Sequence, residues 1–180
     1  MAEPLGGPPV GDSNSRDADF TAYVAARRRH LRRTAFLLCG DWHQAEDLVQ
    51  TALAKLYVAW PRVRRDGSPE AYVRKILVRA HVDETRRPWR RERSSPQLPE
   101  SAATAGLPVE ERDALLTALA ALPAGQRAVV VLRHWVGLSV AETAADLGCS
   151  IGTVKSQTAR AVARLREALT DLAPTTGGRA

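Results

Sequence analysis

With 180 residues and 26 Lys and Arg against 20 Asp and Glu, the chain carries a formal charge of +6, which favours a polyanionic partner, and it has room for one domain or two small ones. A hydrophobic content of 44%, of which little is aromatic, supports a packed globular core. No apolar run approaches the roughly 20 residues of a membrane span, and the first residues lack the basic and apolar blocks of a secretory signal, so the expected location is the cytoplasm.

The opening stretch is rich in Pro and Gly without hydrophobic period, which predicts a disordered tail over 1–15. A first helix is predicted from Asp19, with Phe20, Tyr23, Val24, Leu31, Ala35 and Leu38 on its packed side and Gly40 as its C-cap. Arg27, Arg28, Arg29, Arg32 and Arg33 decorate it, either as a solvated face or as contacts to phosphates. Asp41 and Gln44 have capping-box spacing and open a second helix, which Pro61 is expected to close. Ala45, Leu48, Val49, Ala52, Leu56, Tyr57 and Trp60 form its buried stripe, leaving Glu46, Asp47, Gln50 and Lys55 outside. An acidic and polar exposed face in a basic chain suits a protein surface better than DNA.

Ser68 and Pro69 start a third helix that Pro88 should stop. From Arg62 to Arg93 there are eleven Lys or Arg against five acidic residues, a surplus equal to the whole net charge. Tyr72 and Trp89 lie among these cations, the composition of a surface that tracks a nucleic-acid backbone and stacks unpaired bases. The Pro-, Ser- and Ala-rich stretch after it reads as a flexible linker over 94–109.

Two helices follow, Glu110 to Leu122 and Pro123 to Val136, whose apolar residues Leu115, Leu116, Leu119, Leu122, Val129, Val130, Leu132 and Trp135 form a platform. Ser139 and Glu142 make a second capping box, and Val140, Ala144, Ala145 and Leu147 share one face of the short helix it opens. Gly148 supplies the tight turn. In the last helix Val154, Thr158, Ala161 and Leu165 pack, while Gly152, Thr153, Ser156 and Arg160 occupy the opposite side. Small polar side chains, an exposed amide end and the cations Lys155, Arg160, Arg164 and Arg166 suit an element entering the major groove. An ordinary amphipathic helical hairpin with a solvated basic face has the same pattern.

The fold expected is therefore all-α, with two small helical domains over 16–93 and 110–172 joined by the linker, a helix-turn-helix in the second, and a disordered tail over 173–180. Cys39 and Cys149 belong to no C-x-x-C pair and read as reduced core residues. Cys39 and His43 are interrupted by Gly40 and Asp41 and have no second ligand pair, so no metal and no cofactor are expected.

The chain resembles the extracytoplasmic-function (ECF) sigma factors of the sigma-70 family, and within them the actinobacterial SigE-type subgroup. The resemblance rests on Gly40-Asp41 and Ala45-Glu46-Asp47-Leu48-Val49-Gln50; on Ala71-Tyr72-Val73-Arg74-Lys75-Ile76 with Asp83 and Arg86-Arg87; on Leu119-Ala120-Ala121-Leu122-Pro123; on Gln126-Arg127; and on Gly152-Thr153-Val154-Lys155-Ser156. It implies an RNA polymerase subunit for promoter-specific initiation. Glu46, Asp47 and Gln50 would then dock on the β′ clamp coiled coil, with the β flap as a further contact. Tyr72, Lys75, Arg79, Arg86 and Arg87 would engage the −10 element, and Ser150, Thr153, Lys155, Ser156, Arg160 and Arg164 the −35 element. Core polymerase and promoter DNA are the implied partners, and an anti-sigma factor is allowed. Tyr72 replaces the family's usual tryptophan and Arg79 its usual asparagine, both of which bear on base choice at −10.

Elements two helical turns apart on B-DNA are separated by ~70 Å. A tether of about 18 residues reaches at most ~60 Å, and the domains span the rest. Two other classes compare less well. A free-standing helix-turn-helix repressor accounts only for the C-terminal unit. An enzyme is not supported, because there is no phosphate-binding glycine loop and His30, His43, His81 and His134 are scattered.

Overall fold

The structure, a computed structural model, describes residues 10–85 and 108–172. Every described element is helical: α1 Val10–Cys39, α2 Trp42–Asp66, α3 Pro69–Thr85, α4 Val109–Ala121, α5 Ala124–Val130 running on into a π turn Val131–Trp135, α6 Val140–Leu147 and α7 Ile151–Leu172. Residues 94–107 of the expected linker, the stop at Pro88 and the tail over 173–180 lie outside the described residues.

The first helix departs from the sequence expectation, since α1 begins at Val10, inside the stretch predicted to be a disordered tail. From Arg16 onward tertiary contacts support the helix ahead of its expected start at Asp19. The Tyr57 hydroxyl donates to Asp17 at 2.9 Å, Arg64 pairs with Asp19, and Arg16 lies 4.9 Å over the Tyr57 ring. Phe20 meets Tyr57 and Trp60 edge-on at 5.0 and 5.2 Å. The early turns of α1 are thus laid along α2. Gly40 ends the helix with φ 79°, its amide donating to Phe36 O at 2.7 Å.

Asp41 caps α2 through the Gln44 amide at 2.7 Å, as expected. Pro61 does not close the helix: α2 runs through it to Asp66. Pro61 is exposed, while Trp60 and Val63 on either side of it are buried, so their packing carries the helix past the missing amide. Ser68 caps α3, its hydroxyl accepting from the Ala71 amide at 3.3 Å.

In the C-terminal part both halves of the Ser139–Glu142 capping box are formed, at 2.8 and 3.1 Å, and these Ser139 contacts hold the Glu142 carboxyl below its ordinary pKa. Gly148 takes φ 65° and terminates α6. One side chain departs from the expected face: Ala145 is exposed, and Thr143 and Asp146 are buried with Ala144. A Ser139→Ala chain is expected to lose about 1 kcal/mol, read as a shift of the urea midpoint at unchanged m-value.

The two halves of the chain pack directly on one another. Residues 34–38 of α1 and 126–132 of the α5 segment are buried over every face of the helix, which requires partners on both sides. For α1 these are α2 and α3 on one flank and α4, α5 and the π turn on the other. Leu38, Leu56, Leu77 and Leu132 are fully buried in a core that continues across the seam, each contributing about 1.5–3 kcal/mol of apolar transfer. The π turn, closed by Val136 N to Val131 O at 3.0 Å, delivers Trp135 onto α1. There its indole donates to the Thr34 hydroxyl at 3.1 Å and its ring stacks on His30 at 5.9 Å.

Arg127 sits at the centre of the seam. Its guanidinium donates to Leu38 O at 3.0 Å and to Ala120 O. These carbonyls lie in the last turns of α1 and α4, so one cation caps two helix C-termini, one from each half. Burial lowers its pKa from the ordinary arginine value. The same surroundings push the Cys39 thiol up to about 11, where it donates to Asp41 O at 3.1 Å. Beside Arg127 a cavity of about 80 Å³ is left between Phe36, Leu37, Leu116 and Leu119.

Candidate polymerase and nucleic-acid interfaces

Three surfaces carry the residues that the sequence singles out. On α2 the acidic face is uneven. Asp47 and Gln50 are exposed, but Glu46 is drawn toward α1, where Arg28 and Arg32 both pair with it. The hydrogen bond from Arg28, with the charges of Arg28 and Arg32, holds the Glu46 carboxyl below its usual pKa. Arg32 also lies 4.8 Å over the Trp42 ring. The arginine row of α1 is therefore partly engaged within the protein, Arg27 with Glu70 at 3.5 Å included. What α2 offers an incoming surface is chiefly Asp47 and Gln50.

On α3, Tyr72 is half-buried and lines an open groove with Lys55, Val58, Ala59 and Arg62 of α2. Val58 is 83% exposed, an unusual position for a large apolar side chain, and here it adjoins an aromatic ring and two cations. An aromatic ring beside cations is the kind of surface on which an unstacked base and its phosphate can be held. Helical periodicity puts Lys55 on the docking face and gives Val58 no role; only helix–helix adjacency joins them to Tyr72. Arg79 is exposed one helical turn beyond Lys75. Arg86 and Arg87 lie outside the described residues.

Lys75 has a neighbour that its sequence position does not disclose. Asp146 of α6, buried at 2% exposure, lies 3.9 Å from the Lys75 ammonium and accepts from Arg74 Nε at 2.5 Å. The pair crosses from the −10 helix candidate to the helix-turn-helix.

On α7 the division of faces is as predicted. Val154 and Ala161 are completely buried, and Gly152, Thr153, Lys155, Ser156 and Arg160 are exposed. Ser150 caps the helix, its hydroxyl accepting from the Thr153 amide at 3.0 Å and sharing a hydrogen bond of 2.9 Å with the Thr153 hydroxyl. Ser156 donates to Thr153 O at 3.0 Å. Ser150 is thus first a structural cap, which sets the register of the polar first turn. Arg164 leans toward the platform and donates to Gln126 Oε1 at 3.3 Å, so it flanks the exposed face instead of heading it.

Among the described residues no group of His, Cys, Asp and Glu is arranged to hold a metal ion, and no helix is long and apolar enough to cross a membrane.

Residues 20–91 match the family model for sigma-70 region 2, and residues 105–165 that for sigma-70 region 4. The RNA polymerase sigma-E factor of Streptomyces coelicolor is 41% identical over 152 residues, covering 84% of this chain and 86% of that protein. The ECF RNA polymerase sigma factor SigM of Mycobacterium tuberculosis is 33% identical over 168 residues, covering 93% and 84%. Among solved structures, the sigma factor RpoE of Bartonella quintana, crystallised with the anti-sigma factor NepR, superposes with a TM-score of 0.62 at 28% identity, covering 84% of this chain and 97% of that one. With region 2 carrying the α2 and α3 surfaces and region 4 the α7 surface, the chain belongs to the ECF RNA polymerase sigma factors of the sigma-70 family and serves promoter-specific transcription initiation.

Proposed function

We propose that the three surfaces divide the work of initiation: α2 docks the chain on the β′ clamp coiled coil through Asp47 and Gln50 with Glu46 beside them, α3 takes the −10 element, and α7 enters the major groove at −35. The observation that carries this reading is the α7 surface, where Thr153, Ser156 and Arg160 stand exposed opposite the buried Val154 and Ala161. On α3 the roles fall to Tyr72 as stacking platform and to Lys75 and Arg79 as backbone contacts, with Arg86 and Arg87, which follow in the sequence, assigned the same role. The chain is a non-catalytic, cytoplasmic subunit on this reading. An anti-sigma factor is a further proposed partner, by likeness to the Bartonella protein crystallised with one.

Neither DNA-facing unit alone offers more than a handful of phosphate contacts, so the free chain should bind duplex promoter DNA poorly and become specific only with core polymerase. A gel shift with and without core checks this. Tight, sequence-specific binding by the chain alone would point to a free-standing helix-turn-helix regulator instead. Asp47→Ala and Gln50→Ala should each weaken binding to core polymerase by about 1 kcal/mol while leaving thermal stability within about 0.5 kcal/mol, because both side chains are exposed. Unchanged core affinity in both variants would remove α2 from the docking site.

A further inference from the structure

We propose that Ile151, the first residue of α7, is a base-reading residue at −35: its side chain packs on the 5-methyl group of a thymine and specifies that base at one position. The inference rests on the assignment of α7 to the −35 element and adds a residue that the polar face does not include. Among the described residues the large apolar side chains left exposed are Val58, Val109 and Ile151, and of these Ile151 alone stands on α7. It is 49% exposed at the N-terminal end of the helix, between Ser150 and Gly152, which are exposed as well. The first residues of a recognition helix are those that meet base edges.

Nothing in the fold calls for an isoleucine there. The start of α7 is already capped by Ser150, and Cys149, just before the cap, packs on the cluster of Val129, Ala144 and Val154, so the apolar staple that fixes the angle of entry is in place without Ile151. Ile151 belongs to neither core cluster, and a β-branched residue gains nothing in helix propensity. Its neighbour Gly152 keeps the approach open: a Cβ there would meet the Ser150 hydroxyl at 3.7 Å, an ordinary contact, so the helix itself does not require the glycine. The hydroxyls around Ile151 are partly spent. Ser150 and Thr153 share one hydrogen bond and Ser156 donates to Thr153 O, so two of their three hydroxyl protons are used within the protein. Discrimination by this turn therefore leans on apolar contact, and thymine is the base that carries a methyl group in the major groove. Cytosine or adenine in its place would leave an amino proton without a partner against the aliphatic chain. Lys155, one turn further along the same flank, is placed to hold the adjoining phosphate.

The test uses holoenzyme assembled from core polymerase and the full chain, and a pool of promoter duplexes randomised over the −35 and −10 blocks. In the selected duplex each −35 thymine, on either strand, is replaced in turn by deoxyuridine, which removes the methyl group and leaves every hydrogen-bonding group in place. One replacement is expected to weaken binding of the parent about fourfold, the worth of one buried methyl-sized group, and to leave binding of the Ile151→Ala holoenzyme unchanged. Ile151→Val, still branched and apolar, should keep most of the response. Because the side chain is exposed, the circular dichroism and urea midpoint of the free Ile151→Ala chain should match those of the parent. An enriched −35 block without thymine on either strand, no response of the parent to any deoxyuridine, or an equal response in parent and Ile151→Ala overturns the role of Ile151. Loss of the helical signal in Ile151→Ala makes the residue structural and overturns it equally. Failure of the assignment of α7 shows separately, as a pool with no enrichment anywhere in the −35 block.

Discussion

An Arg127→Met chain is expected to be about 3 kcal/mol less stable than the parent, a larger loss than the Ser139 cap or any of the exposed docking residues should show. Methionine fills similar space, so the effect isolates the guanidinium from the cavity that alanine would leave. What is lost is a buried cation shared by the carbonyls of Leu38 and Ala120, at the C-terminal ends of α1 and α4. The Leu38 carbonyl, deprived of its donor within the buried seam, costs about 1–3 kcal/mol, and both helix ends lose a favourable charge. Urea unfolding followed by circular dichroism reads the loss directly. A midpoint within experimental error of the parent would mean that water replaces the guanidinium and that the seam is wetter than its burial indicates.

Arg160→Ala should cost about 1–3 kcal/mol in holoenzyme binding and relax discrimination at one or two −35 positions, as expected for a side chain that reaches base edges. Lys155→Ala should behave differently, lowering affinity for all −35 sequences alike and reducing the salt slope by about one. The comparison of matched with altered −35 elements separates the two roles. Sequence position alone groups Arg164 with Lys155, but the hydrogen bond of Arg164 to Gln126 predicts a smaller salt effect for Arg164→Ala than for Lys155→Ala. Equal loss on every element for Arg160→Ala would make that residue a phosphate contact.

Much of this arrangement is legible in the sequence because it depends on local chemistry. The caps at Asp41, Ser68 and Ser139, the glycine stops at Gly40 and Gly148, and the faces of α7 follow from spacing within one or two turns of helix. What escapes depends on contacts between distant segments. Nothing near Val10 announces that α1 starts there; what holds its turns from Arg16 to Phe20 is Tyr57, Trp60 and Arg64 on α2. Pro61 is a helix stop by its own chemistry, and only the burial of Trp60 and Val63 overrides it. The packing of the two halves does leave a trace: Ala35, Phe36, Leu37 and Leu38 in succession cover the whole circumference of α1, more apolar surface than one partner helix can hide. Asp146 leaves none, since an aspartate on a short amphipathic helix looks solvent-facing until Arg74 is placed against it.

At the candidate site the polar face of α7 is readable, whereas the neighbours that modify its partners are not. Glu46 stands in the sequence beside Asp47 as an equal member of an acidic face, but Arg28 and Arg32 reach it from α1 and make it half a structural residue. Lys55, Val58 and Arg62 join Tyr72 only through the packing of α2 against α3.

The most direct test of the central claim is run-off transcription by core polymerase, with and without the chain, on templates in which the −35 and −10 blocks are varied independently. Transcripts are expected to require the chain and to fall when either block is altered, with Arg160→Ala blunting the response to −35 changes alone. Transcription that is the same with and without the chain, or indifferent to both blocks, would contradict it.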